Sequence, residues 1–309
     1  MKLVRDPYSQ AIQSVVTIGN FDGVHLGHQK LMTELIAAAD AFQVPSVLLT
    51  FEPHPSEFFQ KTQAIARIMR FSEKWRAVKH YAIDYFYCLR FNAMLANLSA
   101  EDFVRKILVE QLGVKKVIIG DDFQFGAKRL GTVDLLKKMG EQYHFDVQAI
   151  PQLMHQSDRI SSTRIRTALS QGDFQTVFSL THHPFCLSGR VAYGNQIGRQ
   201  LGFPTANIYV HRKQVPLMGI FIVRVHGVKD RALTGVASIG YRPTFGGKQV
   251  LLEVHLFDFN ETLYGKLITV EFIQKIRDEV HFDSVDALVV KIQEDVQIAR
   301  DYFAFNTLA

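Results

Sequence analysis

The chain has 309 residues, 47% hydrophobic and 21% charged, with a formal net charge of +5. That length exceeds one typical domain of roughly 100 to 200 residues and predicts two, while the composition excludes a disordered or fibrous protein. The positive charge suits an anionic ligand, but no run of five or more basic residues gathers it on one segment, so nucleotides fit as well as nucleic acid.

In chain order, the opening stretch MKLVRDPYSQAIQ breaks up its apolar residues with charge and proline. No apolar run anywhere approaches the ~18 residues of a membrane span, so neither export nor membrane insertion is expected. VVTI at 15–18 predicts a strand, LMTELIAAADAF a helix beginning near Leu26, and VPSVLLTF a second strand. A charged helix around Lys74 to His80, the strand YFYCL and a helix opened by Ser99 with Asp102 in its first turn follow, then VKKVIIG at 114–120 and FDVQAI at 145–150. This is the βα rhythm of a parallel sheet.

After Ser179 the texture changes. Glycines become frequent and GIFIVRV, GVASIG, VLLEVHLFDF and LITVEFI are β-branched or alternating, which predicts an antiparallel sheet or small barrel. Leu288, Ile292, Val296, Ala299 and Phe303 fall at helical spacing behind a cap at Asp283 or Ser284, so one helix closes the chain. The boundary is expected near 178–185. Cys88 and Cys186 lie far apart and outside any CxxC pattern, which suggests neither disulfide framework nor zinc site and points to a reducing cytosol.

GNFDGVHLGHQ, 19–29, can be read as metal chemistry, phosphate chemistry or packing. Glycines 19, 23 and 27 permit a tight turn and close approach, and the start of the helix near Leu26 presents unpaired N–H groups to an anion. His25 and His28, three apart, can share one face and donate to phosphate oxygens. Zinc needs more ligands, and the nearest candidate, His54 in TFEPHP, lacks a partner at convincing spacing. GDDFQFGAKRLG follows a strand end, which sets Asp122, Phe123 and Phe125 at the carboxyl edge where open α/β sheets bind ligands. A surface turn with two buried phenylalanines reads the same stretch equally well. ISSTRIRTALS places Ser161, Ser162 and Thr163 where N-caps belong, with Arg164 and Arg166 flanking the apolar trio Ile165, Ala168 and Leu169 on opposite sides; an ordinary capped amphipathic helix is the alternative.

In the second half, GRVAYGNQIGRQLGFPTANI spaces its glycines unlike GxGxxG or a Walker loop. Thr205 and Asn207 alternate, so an extended backbone projects both side-chain oxygens to one side, suiting Mg²⁺ and attached phosphates; a turn capped by Asn207 is the bland reading. VLLEVHLFDF puts Leu252, Val254 and Leu256 on one strand face and Glu253 and His255 on the other. That polar face is either solvated or lines a cleft, where Glu253 can accept the proton of an attacking alcohol. Arg277 in KIRDEVHF is either a surface residue or a phosphate or substrate contact.

The motifs FDGVHLGH, TFEPHP, GDDFQFG and ISSTRIR, in that order, resemble the adenylyltransferase half of the bacterial bifunctional riboflavin kinase/FAD synthetases, and PTAN, EVHLFDFN, LYGK and IRDE resemble the kinase half of the same family. The resemblance implies an α/β Rossmann-like nucleotidyltransferase domain over 1–180 and a β-barrel riboflavin kinase domain over 184–309 with a C-terminal helix. It implies phosphorylation of riboflavin to FMN and adenylylation of FMN to FAD, with ATP as co-substrate, Mg²⁺ as the metal and pyrophosphate as leaving group. His25, His28, Ser162, Thr163 and Arg166 are then expected at ATP phosphates, with Gly19, Phe21 and Gly27 in the same loop; the motif leaves the Arg164 position open, and Arg164 joins that set. Thr50, Pro53, His54, Asp122, Phe123 and Phe125 are expected beside nucleotide and flavin. In the kinase half Gly194, Gly198, Thr205 and Asn207 are expected at Mg·ATP, Glu253 as base, and Arg277 in a flavin-contacting loop. The expected partners are small molecules, without nucleic acid or membrane, in the cytoplasm; oligomeric state is left open. A kinase with a silent adenylyl domain and a flavin-sensing regulator are the competing readings.

Overall fold

The computed structural model describes residues 1–5, 13–60, 65–194, 197–212, 214–244 and 247–306. Most of the opening stretch read for targeting (6–12) and two residues of the second glycine-rich loop (195–196) lie outside them. The chain divides into two compact units: Met1–Ile65 with Met69–Ser162, and Ala66–Ile68 with Thr163–Ala309. The division falls ahead of the 178–185 boundary expected from the change in texture. The helices Ser162–Gln171 and Phe174–Thr181 carry helical periods like those of the first half, yet group with the barrel.

The first unit is built on a six-stranded sheet of order β1-β4-β3-β2-β5-β6, with β1 Lys2–Val4, β2 Ser14–Ile18, β3 Ser46–Glu52, β4 Tyr85–Arg90, β5 Val114–Gly120 and β6 Asp146–Ile150. Every pairing is parallel. β2 is buried along its whole length, the reason its sequence is a continuous apolar run rather than an alternation. Its residues still take opposite sides: Val16 and Ile18 join Leu49, Ile119 and Leu108 on one face, and Val15 joins Leu48, Ile118 and Leu35 on the other. β1 is an edge strand that the broken opening stretch does not announce. The helix opened by Ser99 is capped as expected, its hydroxyl accepting from the Asp102 N–H, but after Ala100–Phe103 it widens into a π-helix over Val104–Gln111. A short hairpin, β7 Met154–His155 with β8 Asp158–Arg159, follows the sheet.

The second unit is a closed barrel of order β10-β13-β12-β11-β14-β9, all antiparallel: β9 Cys186–Ala192, β10 Thr205–Tyr209, β11 Gly219–His226, β12 Leu233–Thr244, β13 Gly247–Leu256 and β14 Leu267–Arg277. Closure leaves no unpaired strand edge. Phe174 stacks near Phe185 and Phe272 and meets Phe221 edge-on. The final helix, Val285–Asn306, begins behind Ser284, whose Oγ accepts from the Ala287 N–H, and it packs Ala299 against Ile220, Ile222 and Val236.

Candidate functional site

In the first unit the strand order reverses direction around β2, whose neighbours are β3 and β5. Open α/β sheets bind ligands at such a switch point, beyond the carboxyl ends of the strands. A cavity of about 180 Å³ lies there, with Gly19, His25, His28, Asp122, Phe123 and Arg159 in its wall. The loop from β2 reaches the helix Leu26–Phe42 through residues of positive φ, Phe21 at 49°, Gly23 at 88° and Val24 at 41°. Non-glycine residues held in the left-handed region store strain that persists where the surroundings fix a functional shape.

His25 is the N-cap. Its Nδ1 accepts from the His28 backbone N–H at 3.3 Å, so the neutral ring carries its proton on Nε2. The two imidazoles stack with centroids 3.6 Å apart and planes at 16°, and Phe21, fully buried, backs His28 at 5.1 Å. Gly27 gives this stack room, because a Cβ there would press on the His25 ring at 3.2 Å. Burial, then His25, then the Lys74 charge hold the His28 pKa well below its ordinary value, so His28 is neutral at neutral pH. His28 Nδ1 and Asn20 Oδ1 are buried without a hydrogen-bond partner. Unpartnered buried polar atoms cost about 1–3 kcal/mol each, and His28, in the first turn of the helix, carries one of them in the cavity wall.

Other expected contacts are distributed more widely. Ser162 Oγ donates to the Asp22 carbonyl at 2.7 Å, tying the start of the helix Ser162–Gln171 to the loop. Thr163 is exposed, Arg164 half-buried, and Arg166 Nε donates to the Ala66 carbonyl at 2.7 Å. Asp122 pairs with Arg159 on the cavity wall. Phe123 lines the cavity and stacks on Phe125, which is itself buried against Phe103. Thr50 is fully buried and its hydroxyl faces Asn20 and Lys74, so its side chain serves the interior of the loop. His54, preceded by Pro53, caps the helix Pro55–Phe59, its Nδ1 accepting from the Ser56 N–H.

In the barrel unit a cleft of about 730 Å³ includes Gly194, Gly198, Thr205, Asn207, Glu253 and Arg277 in its wall, a volume that suits a cofactor-sized ligand. Asn207 stands opposite Glu253, and Thr205 opposite His255, in the β10–β13 ladder. A Cβ at Gly194 would fall on the Asn207 amide, and one at Gly198 would meet the Phe203 carbonyl at 2.5 Å and Thr205 Oγ1 at 3.4 Å. Both glycines therefore let the loop backbone close on the two oxygen-bearing side chains. Among the described residues no group of three or more His, Cys, Asp or Glu side chains is arranged to hold a metal. Two neutral oxygens beside one carboxylate fit Mg²⁺ arriving on a nucleotide, since Mg²⁺ keeps several waters and shares its coordination with phosphates. Arg277 reaches back to Asp295 of the final helix and lies 5.9 Å from the Phe282 ring.

Lys74 and Asp295 are absent from the expected site residues. Each carries a sequence signal: Lys74 falls three after Phe71 and four before Val78, and Asp295 three after Ile292 and four before Ala299. A charge inside an apolar helical stripe announces a buried partner.

A parallel sheet with a glycine-rich loop and a helix N-terminus at its switch point, joined in one chain to a barrel whose cleft sets a carboxylate beside two neutral side-chain oxygens, is the architecture of a two-domain enzyme of phosphate-bearing ligands. The family model for FAD synthetase matches residues 8–164, and that for riboflavin kinase residues 181–303. The bifunctional riboflavin kinase/FMN adenylyltransferase of Escherichia coli (strain K12) is 43% identical over 310 residues, covering 99% of each chain, and that of Haemophilus influenzae is 42% identical over 288 residues, covering 93% of this chain and 94% of its own. A crystal structure of a macrolide-efflux protein from Streptococcus pneumoniae is 31% identical with a TM-score of 0.81, covering 96% of this chain and 98% of that one. The chain belongs to the bifunctional riboflavin kinase/FMN adenylyltransferase family.

Proposed function

We propose that the barrel unit phosphorylates riboflavin to FMN and the parallel-sheet unit adenylylates FMN to FAD. The enzyme is a bifunctional riboflavin kinase and FMN adenylyltransferase, and the observation that carries the division of labour is that each unit holds its own cleft with the groups one step needs. In the kinase step the primary hydroxyl of riboflavin attacks the γ-phosphorus of ATP, Glu253 takes the hydroxyl proton, and ADP leaves. Asn207, its cross-strand neighbour, and Thr205 hold the phosphates with their Mg²⁺, which when bound neutralises phosphate charge. Arg277 and the loop after β14 border the flavin.

The second step needs no base, because the FMN phosphate is already an anion. Its oxygen attacks the α-phosphorus of ATP and pyrophosphate leaves, so the requirement is stabilisation of negative charge. The N–H groups at the start of Leu26–Phe42, the His25 and His28 rings and Ser162 supply it. Phe123 and Asp122 face the flavin side. We read the chain as a cytoplasmic enzyme of small molecules, a reading its two free cysteines, Cys88 and Cys186, support because they suit a reducing compartment.

The test is to mix pure protein with riboflavin and Mg·ATP and resolve the flavins with time. FMN should rise first and FAD follow. Unchanged riboflavin would overturn the kinase assignment, and FMN that never becomes FAD would overturn the second.

A further inference from the structure

Lys74, on the helix Phe71–Lys79, is 3% exposed. Lysine is almost never buried this deeply unless its ammonium is paired. Its Nζ donates to the Asn20 carbonyl at 2.5 Å and to Thr50 Oγ1 at 3.4 Å, and the Thr50 hydroxyl itself donates to Asn20 O at 3.4 Å. Asn20 begins the loop that ends at His25, and Thr50 closes β3, so three elements distant in sequence meet at one cation. Beside it Asp22 Oδ1 accepts the Met69 N–H at 2.9 Å, a second tie between the loop and the chain leading into this helix.

Packing alone gives no reason for an ammonium here, because a methionine of similar reach would fill the space without desolvating a charge. The charge is felt at the site: burial first, then His25 and then Lys74 lower the His28 pKa. In the cavity wall Asp122 and Arg159 are occupied with each other. A charge anchored on the Asn20 carbonyl, near enough to contribute to the low His28 pKa, is in place before any ligand arrives and costs no reorganisation at the moment of reaction.

We propose that Lys74 is a positioning residue of adenylyl transfer, its buried ammonium holding the Asn20–His25 loop against the end of β3 and keeping positive charge behind the histidines where the triphosphate docks. The proposal rests on the adenylyl-transfer reading of this unit.

The full-length Lys74→Met and Lys74→Arg variants test it, assayed for FAD from supplied FMN and for FMN from riboflavin. The chain's single tryptophan, Trp75, packs edge-on against Phe86 in the same unit, so its emission reports whether that unit has folded. Lys74→Met should keep the kinase rate and lose about 10- to 100-fold in kcat for FAD formation, the scale of a misplaced reacting group. In the same variant the His28 resonance, assigned by its loss in His28→Gln, should titrate closer to its ordinary value. Lys74→Arg restores the charge and should recover part of the FAD rate with His28 still titrating low. A folded Lys74→Met protein that makes FAD within about twofold of the parent, with His28 unmoved, overturns the proposal. If Lys74→Met unfolds the unit, Lys74→Arg decides: a low-titrating His28 with FAD formed supports the proposal, and an ordinary-titrating one overturns it. A parent protein that makes no FAD would instead overturn the underlying reading, so the two failures are distinct.

Discussion

Arg277 and Asp295 are joined by three hydrogen bonds, Nε to both carboxylate oxygens at 2.9 and 3.2 Å and Nη2 to Oδ2 at 2.7 Å, with Asp295 only 2% exposed. The pair fastens the last residue of β14 to the final helix and holds the guanidinium in the wall of the barrel cleft. Truncating one partner leaves the other charge buried and unmatched. Asp295→Ala should therefore destabilise the barrel by about 2–3 kcal/mol, below the ~3–5 of a wholly buried pair because the guanidinium reaches solvent. A thermal melt lowered by roughly 5–10 °C, with a raised KM for riboflavin, is the expected outcome. An unshifted melt would show that the pair contributes nothing net.

Assigning the two steps to different units leads to a double dissociation. Glu253→Gln keeps size and removes the base, so FMN formation should fall roughly 10²- to 10⁴-fold while supplied FMN still becomes FAD. His28→Ala should slow FAD formation by about 10²-fold or more and leave the kinase step intact, so riboflavin stops at FMN. The four rates, measured on proteins that melt like the parent, settle the assignment; the opposite pattern would reverse it.

The depressed His28 pKa gives stability a pH dependence of known sign. The unfolded chain binds a proton at this side chain near pH 6.5 and the folded one only at lower pH, so between those values the unfolded state holds more protons. Stability from this group is complete above 6.5 and is lost as the pH falls below it. His28→Gln, which cannot titrate, should lose less stability than the parent when acidified below pH 6.5. Parallel urea melts at neutral and acidic pH followed by Trp75 emission check this, and equal acid losses in both proteins would contradict it.

The helix Phe174–Thr181 decides where a stable kinase fragment can begin. Phe174 has ring centroids 5.9 Å from Phe221 and 6.0 Å from Phe272, so a fragment starting at Pro184 lacks an aromatic member of the barrel unit's packing. A fragment from Thr163 should fold and phosphorylate riboflavin. One from Pro184 should be less stable by ~3 kcal/mol, the usual cost of losing a buried phenylalanine. Equal denaturant midpoints for the two would remove the case for the earlier start.

Parallel strands were legible because burial on both faces writes itself as runs such as VVTI and VKKVIIG, and the barrel because alternation in VLLEVHLFDF survives one-sided burial. The cap at Ser284 and the helix from Leu26 were readable from local chemistry. Elements whose form depends on partners were not: β1 exists because β4 offers an edge, and Thr50 and Phe125 turn inward because Lys74 and Phe103 meet them there. The π-helical winding over Val104–Gln111 leaves no mark in a sequence that also suits an α-helix. At the sites, the residue types were readable and their mutual distances were not, since the stacking of His25 on His28 depends on a backbone path through positive φ at Phe21 and Val24.

Closure of the barrel has a consequence for how its chemistry can fail. Every strand has two partners, so no free edge can absorb an error in pairing. A slip of one residue between β10 and β13 would turn Thr205 and Asn207 toward the core and push Ala206 and Ile208 out, and the mismatch would have to propagate around the ring. The spacing of Asn207 and Glu253 is thus inherited from the circumference of the barrel rather than adjusted locally. Alignment of the proposed kinase residues is therefore a threshold property: a chain that closes the ring acquires their arrangement whole, and one that does not acquires no fraction of it.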